Sequence, residues 1–247
     1  MNGRPPPRNR GAAVPSRHDD TFNGATCVWN SVYDGLTHEQ TAMIQQSIRI
    51  RTHYRGDTLF NIGDQPTEVL IVFAGRIKAY VLSADGVSFT PALYGPGRVT
   101  GLISTLRNVP RMMKVVAVDD VRIGSVSKSD LHRLMISIPV FGENVAKLVA
   151  AMAADLIWVI NERALLPARE RLFNALMSLS HPSSNPIHGQ IQVVRGLSQE
   201  DLAGIVGVSR TWVNLTLAAM EEDGVIARQR MEIQILDSEK VRTALRE

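Results

Sequence analysis

Cysteine is nearly absent from this sequence, because Cys27 is the single cysteine in 247 residues. One cysteine cannot form a disulfide within the chain, and it cannot build a zinc or iron–sulfur site of several thiolates. Long hydrophobic runs are also missing, since no apolar stretch reaches the roughly 18 residues that a membrane span requires. The first twenty residues carry several arginines but lack the apolar segment of a secretory signal. The sequence therefore predicts a cytoplasmic protein with no membrane partner.

An excess of charge of one sign is missing as well. The 27 Lys and Arg residues stand against 24 Asp and Glu residues, which gives a formal net charge of +3. Within residues 168–247, nine Lys and Arg residues stand against ten Asp and Glu residues. A basic surface is the usual signature of nucleic-acid binding. Any such binding by this segment must therefore arise from where individual charges lie and not from bulk composition.

Side chains for catalysis and metal binding are sparse. The six histidines are scattered along the chain, at His18, His38, His53, His132, His181 and His188. A metal oxygenase would need two or three histidines and a carboxylate that converge, and the glycine-rich stretch YGPGRVTG lacks the lysine of a nucleotide-hydrolysing loop. We therefore expect no enzyme activity, no metal site and no resident cofactor. Cys27 would be a redox sensor only if it were exposed and reactive; the alternative is an ordinary free thiol.

The amino-acid composition changes along the first half of the chain. Residues 1–27 combine Pro, Gly and Arg, which predicts a disordered tail. In residues 28–138, glycines separate short β-rich runs such as VLIVF, IKAYVLS and VRIGSVS, and Gly86 in SADG suits a hairpin turn. Many short strands with regular turns predict a β-barrel or a jelly-roll sandwich.

One long helix is predicted for residues 139–167, between Pro139 and Pro167. Side chains that are all apolar except one recur there in steps of four and three residues, at Val145, Val149, Met152, Leu156, Val159, Arg163 and Leu166. This heptad spacing is typical of a two-stranded coiled coil. We expect these residues to form the seam of a homodimer. The alternative is that the helix packs on its own barrel, and one helix could do both.

Residues 168–247 contain two helices joined by a tight turn, within LSQEDLAGIVGVSRTWVNLTLAAMEEDG. Ser198 followed by Asp201 predicts a capped start of the first helix. Gly207 supplies the turn, and Ser209 caps the second helix. The inward-facing side chains of the second helix are predicted from their spacing to be Val213, Leu217 and Met220.

The outer face of the second helix is polar at its N-terminal end. Arg210 can bond guanine, Asn214 can pair with adenine, and the methyl group of Thr211 can contact thymine. This is the helix-turn-helix arrangement, which lays the start of its second helix in the major groove. A following β-ribbon with Arg228 and Arg230 would form a wing on the phosphates. The candidate DNA-binding residues are Ser198, Gln199, Ser209, Arg210, Thr211, Asn214, Leu215, Arg228 and Arg230.

Two other interpretations stay open at this point. The paired helices could be an αα-hairpin with a polar outer face. The whole chain could also be a ligand-binding module that acts through protein contacts, without binding an operator. Trp212 is expected to be a packing residue, and the alternative is that its indole N–H donates to a phosphate.

The sequence resembles the CRP/FNR family of bacterial transcription regulators, the cyclic-AMP receptor protein family, from about Asp34 onward. The resemblance lies in RGDTLFNIGDQPTEVLIVFAGRIKAY, in YGPGRVTGL and, most specifically, in LSQEDLAGIVGVSRTWVNLTLAAMEEDGVI. It implies an α+β protein with an N-terminal cyclic-nucleotide-binding-like β-barrel, a long dimerisation helix and a C-terminal winged helix-turn-helix. It also implies a homodimer on a palindromic double-stranded DNA operator, an effector at the barrel that modulates DNA binding, and RNA polymerase as a partner.

The effector pocket that this resemblance implies departs from the nucleotide-binding pattern. Nucleotide-binding members have a Gly-Glu pair and then an Arg-Ser pair, whereas this sequence has Gly101-Leu102 and Arg111-Met112. A ribose hydroxyl buried against Leu102 would lose a hydrogen-bond partner, at a cost of roughly 1–3 kcal/mol. We therefore expect an effector other than cyclic AMP, with an apolar or aromatic body and an anionic group on Arg111, unless the pocket is filled by its own side chains. The candidate pocket residues are Gly101, Leu102, Arg111, Met112, Met113, Leu156 and Ile157.

The second helix departs from the family pattern too. Many members carry a glutamate where Thr211 stands and an arginine where Leu215 stands, while Arg210 is retained. A glutamate accepts a hydrogen bond from cytosine, which threonine cannot replace in the same way. We therefore expect an operator that differs from the usual family consensus.

Overall fold

The computed structural model describes residues 29–83, 88–182, 192–237 and 240–241. The predicted tail, Cys27, Gly86 and most of the loop after Ser180 lie outside the described residues. The first element in the described residues is a 3-10 helix, Trp29–Tyr33, and the elements then follow in the order α1 His38–Gln46, β1 Arg49–His53, β2 Thr58–Phe60, β3 Glu68–Ala74, β4 Ile77–Leu82, β5 Ser88–Tyr94, β6 Val99–Thr100, α2 Leu102–Arg107, β7 Lys114–Ala117, β8 Val121–Ser127, α3 Lys128–Ser137, α4 Pro139–Leu165, α5 Ala168–Leu179, β9 His181–Pro182, β10 Gln192–Arg195, α6 Gln199–Val206, α7 Arg210–Glu222, β11 Ile226–Gln229 and β12 Glu232–Ile235.

The N-terminal unit is a sandwich of two antiparallel sheets of four strands each. One sheet has the strand order β1-β8-β3-β6 and the other has the order β2-β7-β4-β5. Buried side chains from both sheets, such as Val72, Ile77 and Ile123, form the core between them. Within the described residues no strand pairing joins the two sheets. The fold prediction is therefore right in its jelly-roll form, and the closed barrel is corrected to two facing sheets.

A helical layer fastens the start of α4 to this sandwich. Trp29 of the 3-10 helix lies edge-to-face against Phe141 of α4, with ring centroids 6.1 Å apart. The side-chain amide of the buried Asn144 donates to the backbone carbonyls of Val32, at 3.1 Å, and Asp34, at 2.7 Å. These bonds satisfy a buried amide that would otherwise be costly. The first turns of α4 therefore belong to the core of their own chain.

The long helix ends two residues earlier than its predicted boundary. The structure places its last helical residue at Leu165, and Leu166 is extended with φ −99° and ψ 138°. The residue before a proline avoids helical backbone angles, so Pro167 explains this end. Pro167 then stands directly before α5, which opens the C-terminal unit.

In the described residues, the C-terminal unit contains helices α5, α6 and α7, which are closed by a small antiparallel sheet. Its sheet has the strand order β11-β12-β10-β9. Leu172 and Leu176 of α5 are buried against Leu202, Val213 and the ribbon strands in one apolar core. This arrangement is the predicted winged pair of helices.

The two units are packed against each other along α6 and β5. Asp201 of α6 forms an ion pair with Lys78 of β4, and Gly204 lies so close to β5 that a side chain there would meet Thr90 and Ser88. Asp201 is only 8% exposed. The C-terminal unit is thus held on the surface of the sandwich by a largely buried carboxylate and a close backbone approach.

Among the described residues no single helix is long and apolar enough to cross a bilayer. Two sharply bent pairs, α3 with α4 and α6 with α7, reach that length and composition only when each pair is taken together.

We predict that Asp201→Asn lowers the free energy of unfolding by roughly 1–3 kcal/mol, because the ammonium of Lys78 loses its anion in a partly buried site. Burial raises the pKa of Asp201, but hydrogen bonds from Lys78 and Ser198 outweigh burial and hold the pKa below its ordinary 3.8. The stabilisation is therefore present above pH 3.8 and is lost as the pH falls through the lower pKa of the folded state.

The measurement is thermal or urea unfolding at neutral pH. The matched control is Glu143→Gln, which breaks the exposed pair with Lys147 and should leave the midpoint unchanged. Equal midpoints for wild type and Asp201→Asn would contradict the prediction.

Candidate nucleic-acid interface and ligand cavity

The turn between α6 and α7 is built by three small residues that the sequence singled out. Ser198 caps α6 in a reciprocal capping box with Asp201, and the hydroxyl of Ser209 accepts the backbone N–H of Trp212 at 3.1 Å to cap α7. Gly207 takes left-handed backbone angles, φ 73° and ψ 51°. A side chain at Gly207 would collide with the guanidinium of Arg163. The two helices therefore meet at a fixed bend of 105°.

The two faces of α7 divide as the helical spacing predicts. Its buried side chains are Val213, Leu217 and Met220. On the opposite side Arg210, Thr211, Asn214 and Leu215 are exposed, and Leu215 presents 66% of its surface. Trp212 packs against the core of the C-terminal unit. The start of α7 thus projects a guanidinium, a hydroxyl, a carboxamide and an isobutyl group outward.

The ribbon of β11 and β12 carries the two arginines predicted for a wing, and they lie in different environments. Arg230 is exposed in the turn between the strands. Arg228 instead pairs with Glu221 of α7, with a 2.8 Å bond from Nε to Oε2. The hydrogen bonds from Arg228 hold the pKa of the Glu221 carboxyl below its usual range. Sequence reasoning did not single out Glu221, because its partner lies on the strand that folds back over the helix.

The long helix presents a different face outward than the heptad seam predicts. Val145 is 0% exposed, and Val149 and Met152 pack on the same core. Leu156 and Val159 line a cavity, and Arg163 donates to the carbonyls of Gly204 and Ile205 in α6. The exposed apolar stripe lies one position further along and consists of Ala146, Ala150, Ala153, Ile157, Ile160 and Ala164.

This stripe lies on a different face of α4 from the predicted seam. Its members are also spaced by four and three residues, because α4 is apolar around most of its circumference. The spacing therefore indicates two possible seams, and only packing decides which one faces the chain's own core. Ile157 and Ile160 are 60% and 63% exposed, which leaves a large apolar surface without cover in the single chain.

A cavity of about 120 Å³ opens between the sandwich and α4. Five of the seven predicted pocket residues line it, namely Gly101, Arg111, Met112, Met113 and Leu156. Leu102 is fully buried in the core beside α2, and Ile157 points to the outside of α4. These two positions are corrected, because Leu102 packs inward from the first turn of α2 and Ile157 follows Leu156 on the other side of the helix.

Arg111 is the charged group at the closed end of this cavity, and it is only 3% exposed. Its Nη1 donates to the carbonyl of Gly101 at 2.8 Å, its Nη2 donates to the carbonyl of Glu68, and its guanidinium lies 3.7 Å from the ring centroid of Phe60. Burial lowers the pKa of Arg111, while the carboxylates of Glu68 and Asp64 oppose this. Within the described residues its Nε has no hydrogen-bond partner.

Sequence reasoning missed an ion pair in the lining of the cavity. Arg98 donates to Asp155 of α4 at 2.8 Å, and both residues line the cavity. No pattern in the sequence joins these residues, since they are far apart along the chain. Among the residues that the structure describes, no group of three or more His, Cys, Asp or Glu side chains could hold a metal ion.

Comparison with known families accounts for both units. A model of the cyclic nucleotide-binding domain matches residues 50–137, and a model of the Crp-like helix-turn-helix domain matches residues 170–244. The chain belongs to the CRP/FNR family of transcriptional regulators. As a CRP/FNR family member with this helix-turn-helix, it is a DNA-binding transcription regulator.

Individual relatives of this CRP/FNR regulator are distant but span most of its length. The cyclic AMP receptor protein of Thermus thermophilus is 27% identical, over 79% of this chain and 87% of that protein. A CRP-like cAMP-activated global transcriptional regulator of Mycobacterium tuberculosis is 23% identical, over 85% of this chain and 94% of that protein. The solved c-di-GMP responsive global regulator CLP of Xanthomonas campestris shares the fold with a TM-score of 0.69 at 17% identity, over 81% of this chain and 100% of that one.

Proposed function

We propose that this regulator binds a palindromic operator as a homodimer, reads bases with the start of α7, and is modulated by a small molecule other than cyclic AMP in the cavity beside α4. The observation that carries the proposal is the exposed group of Arg210, Thr211 and Asn214 on a capped helix that follows a tight turn. Side chains of these types at a helix start can reach base edges in the major groove.

The chemistry of each side chain suggests what it contacts. Arg210 presents a two-pronged donor that matches O6 and N7 of guanine, and Thr211 and Leu215 offer apolar groups to a thymine methyl. Ser198, Gln199 and Ser209 lie at the starts of α6 and α7, where backbone N–H groups and the helix dipole attract phosphates. Arg230 extends this phosphate surface from the wing. The phosphate contacts would set orientation, and the base contacts would set sequence.

The exposed stripe on α4 supports the homodimer. Two copies of α4 that pack on Ala146, Ala150, Ala153, Ile157, Ile160 and Ala164 would bury this apolar surface about a two-fold axis. Small alanines in the first half allow the helices to approach closely, while Ile157 and Ile160 supply the buried volume. A two-fold dimer then presents two α7 helices to two half-sites, as a palindrome requires.

The cavity supports an effector, and its wall argues against cyclic AMP. Two relatives are named for cyclic AMP and a third for c-di-GMP. In the sequence pattern Leu102 takes the place of the ribose-binding carboxylate, and its side chain is buried in the core, so it offers the cavity no acceptor. The Arg111 guanidinium already serves two backbone carbonyls. Met112, Met113 and Leu156 offer an apolar lining, which suits an apolar or aromatic body with one anionic group on the guanidinium of Arg111.

The remaining partners follow from this activity. The family resemblance implies contact with RNA polymerase at the promoter, and we propose RNA polymerase as a partner. The place of action is then the cytoplasm, where the chromosome and the polymerase meet.

We expect Arg210→Ala to weaken binding to an operator, selected from random duplexes, by about 1–3 kcal/mol, or roughly 5- to 150-fold, and to relax selection at one base pair of each half-site. The lost interaction is the bidentate bond to guanine. A gel-shift titration at fixed salt measures the affinity. Arg49→Ala, which removes an exposed arginine from β1 of the other unit, is the control for loss of charge. Unchanged affinity of Arg210→Ala would contradict this docking.

Ile157→Glu should convert a dimer to a monomer, because a carboxylate at the centre of a buried helix pair would lose its hydration without a partner. Light scattering after size exclusion gives the mass. Ile136→Glu introduces the same charge at an equally exposed isoleucine on α3 and should leave the dimer intact. A wild-type chain that is monomeric at micromolar concentration would defeat the proposed dimer, and a dimeric Ile157→Glu would place the seam elsewhere.

Cyclic AMP and cyclic GMP at micromolar concentrations should leave the melting temperature unchanged, since a ligand raises it only by binding the folded state. Differential scanning fluorimetry of the full chain measures this. Stabilisation by several degrees with either nucleotide would overturn the expectation that the effector is a different molecule.

A further inference from the structure

The carboxamide of Asn214 on the outer face of α7 is held by two neighbours. Its Oδ1 accepts a hydrogen bond from Nε2 of Gln199 at 3.1 Å and another from Nη1 of Arg228 at 3.3 Å. Arginine carries only donors, so the atom that faces Arg228 must be the oxygen of the carboxamide. The orientation of the Asn214 side chain is therefore fixed by its partners, although an amide alone leaves it ambiguous.

Arg228 is itself held in place by Glu221. Its backbone N–H donates to Oε1 of Glu221 at 2.8 Å, and its Nε donates to Oε2 at 2.8 Å. Charge-assisted, two-point contacts of this kind are among the stronger hydrogen bonds in proteins. Glu221 is one of α7's own residues, seven positions after Asn214. Helix α7 thus carries both the carboxamide of Asn214 and the glutamate that holds Arg228, and Arg228 in turn orients that carboxamide.

The consequence concerns which hydrogen-bonding groups Asn214 can offer to a base. A free asparagine pairs with adenine in two ways at once, since its oxygen accepts from N6 and its nitrogen donates to N7. Here both lone pairs of the oxygen are already used by Gln199 and Arg228. The group left to face a ligand is the NH2, which only donates.

We propose that Gln199, Arg228 and Glu221 are positioning residues that make Asn214 a donor-only reader of the major groove. Guanine presents two acceptors there, N7 and O6, and thymine presents O4, whereas adenine presents one acceptor, N7, beside an amino donor, and cytosine presents an amino donor. Asn214 therefore favours guanine or thymine over cytosine, and it also favours them over adenine, to which it can no longer make the second bond, from N6 to its oxygen. This inference rests on the proposed reading of DNA by α7, and it adds a specificity that the residue type alone does not give.

The test is selection of operators from random duplexes by the full-length chain, followed by base counts at every position. Asn214→Ala identifies the position that Asn214 reads, because it should abolish the base preference in one column of the aligned operators, that is, at one position of each half-site. In the wild type that column should favour guanine or thymine. Glu221→Gln removes the charge that holds Arg228, so that one of the two lone pairs of Asn214 Oδ1 can accept from N6 of adenine, and it should raise the share of adenine in the same column by about fivefold or more.

The matched control is Glu222→Gln, which changes the neighbouring exposed glutamate and should reproduce the wild-type column. Gln199→Met serves as a second variant that removes one of the two donors at the surface, so a Glu221→Gln chain that fails to fold does not end the test. The column read by Arg210 should stay the same in all of these variants, which a general loss of structure would not allow.

Three outcomes would overturn the inference while leaving DNA binding intact. The wild type could already favour adenine in this column, neither Glu221→Gln nor Gln199→Met could change the base preference there, or Asn214→Ala could abolish no base preference at any position. Enrichment of no sequence by the wild type would instead overturn the proposed operator binding, and this inference with it.

Discussion

The guanidinium of Arg163 joins the end of the long helix to the turn of the helix-turn-helix, and the placement of the reading surface depends on it. Its Nη2 donates to the carbonyls of Gly204 and Ile205, at 3.0 and 2.5 Å, at the end of α6 where backbone carbonyls lack partners within the helix. Gly207 leaves the space that this guanidinium occupies. The contacts of Arg163 therefore fix the orientation of α7 relative to α4. Because α4 packs on the sandwich, they also fix the orientation of α7 relative to the sandwich.

The same helix serves three surfaces along its second half. Its inner side lines the cavity with Met152, Leu156 and Val159, its end holds the turn through Arg163, and its outer side carries the apolar stripe. A ligand that displaced the inner side by even a small distance would move a rigid rod whose other contacts are the turn and the stripe. Packed elements of this kind respond by switching between discrete arrangements more readily than by bending. The ion pair of Arg98 with Asp155 connects the sandwich to α4, so a shift of α4 would change the distance between its two charged groups.

Sequence reasoning succeeded where the determinants are local and failed where packing decides. The caps at Ser198 and Ser209 and the turn at Gly207 depend on neighbours within a few residues, so the sequence alone predicted them. The face of α4 that packs on the chain's own core could not be predicted, because Val145 and Ala146 begin two heptad series and burial selects between them. Likewise the apolar runs predicted the strands. Whether the two sheets close into a barrel depends on hydrogen bonding between strands that are distant in sequence, which the composition of a single run does not show. Glu221 escaped notice because its role exists only once the ribbon has folded back over α7.

The charge balance of the C-terminal unit bears on how it must bind DNA. Arg195 and Arg228 are paired with Glu232 and Glu221, so they contribute less free positive charge than the composition implies. Binding through phosphates gains strength with each phosphate that is neutralised, and it weakens steeply as salt rises. These two ion pairs leave fewer arginines of the unit available to bind phosphates. If the regulator binds as proposed, its selectivity comes from the base contacts of α7 and from two such units acting together on one duplex, which gives the apolar stripe of α4 a direct part in recognition.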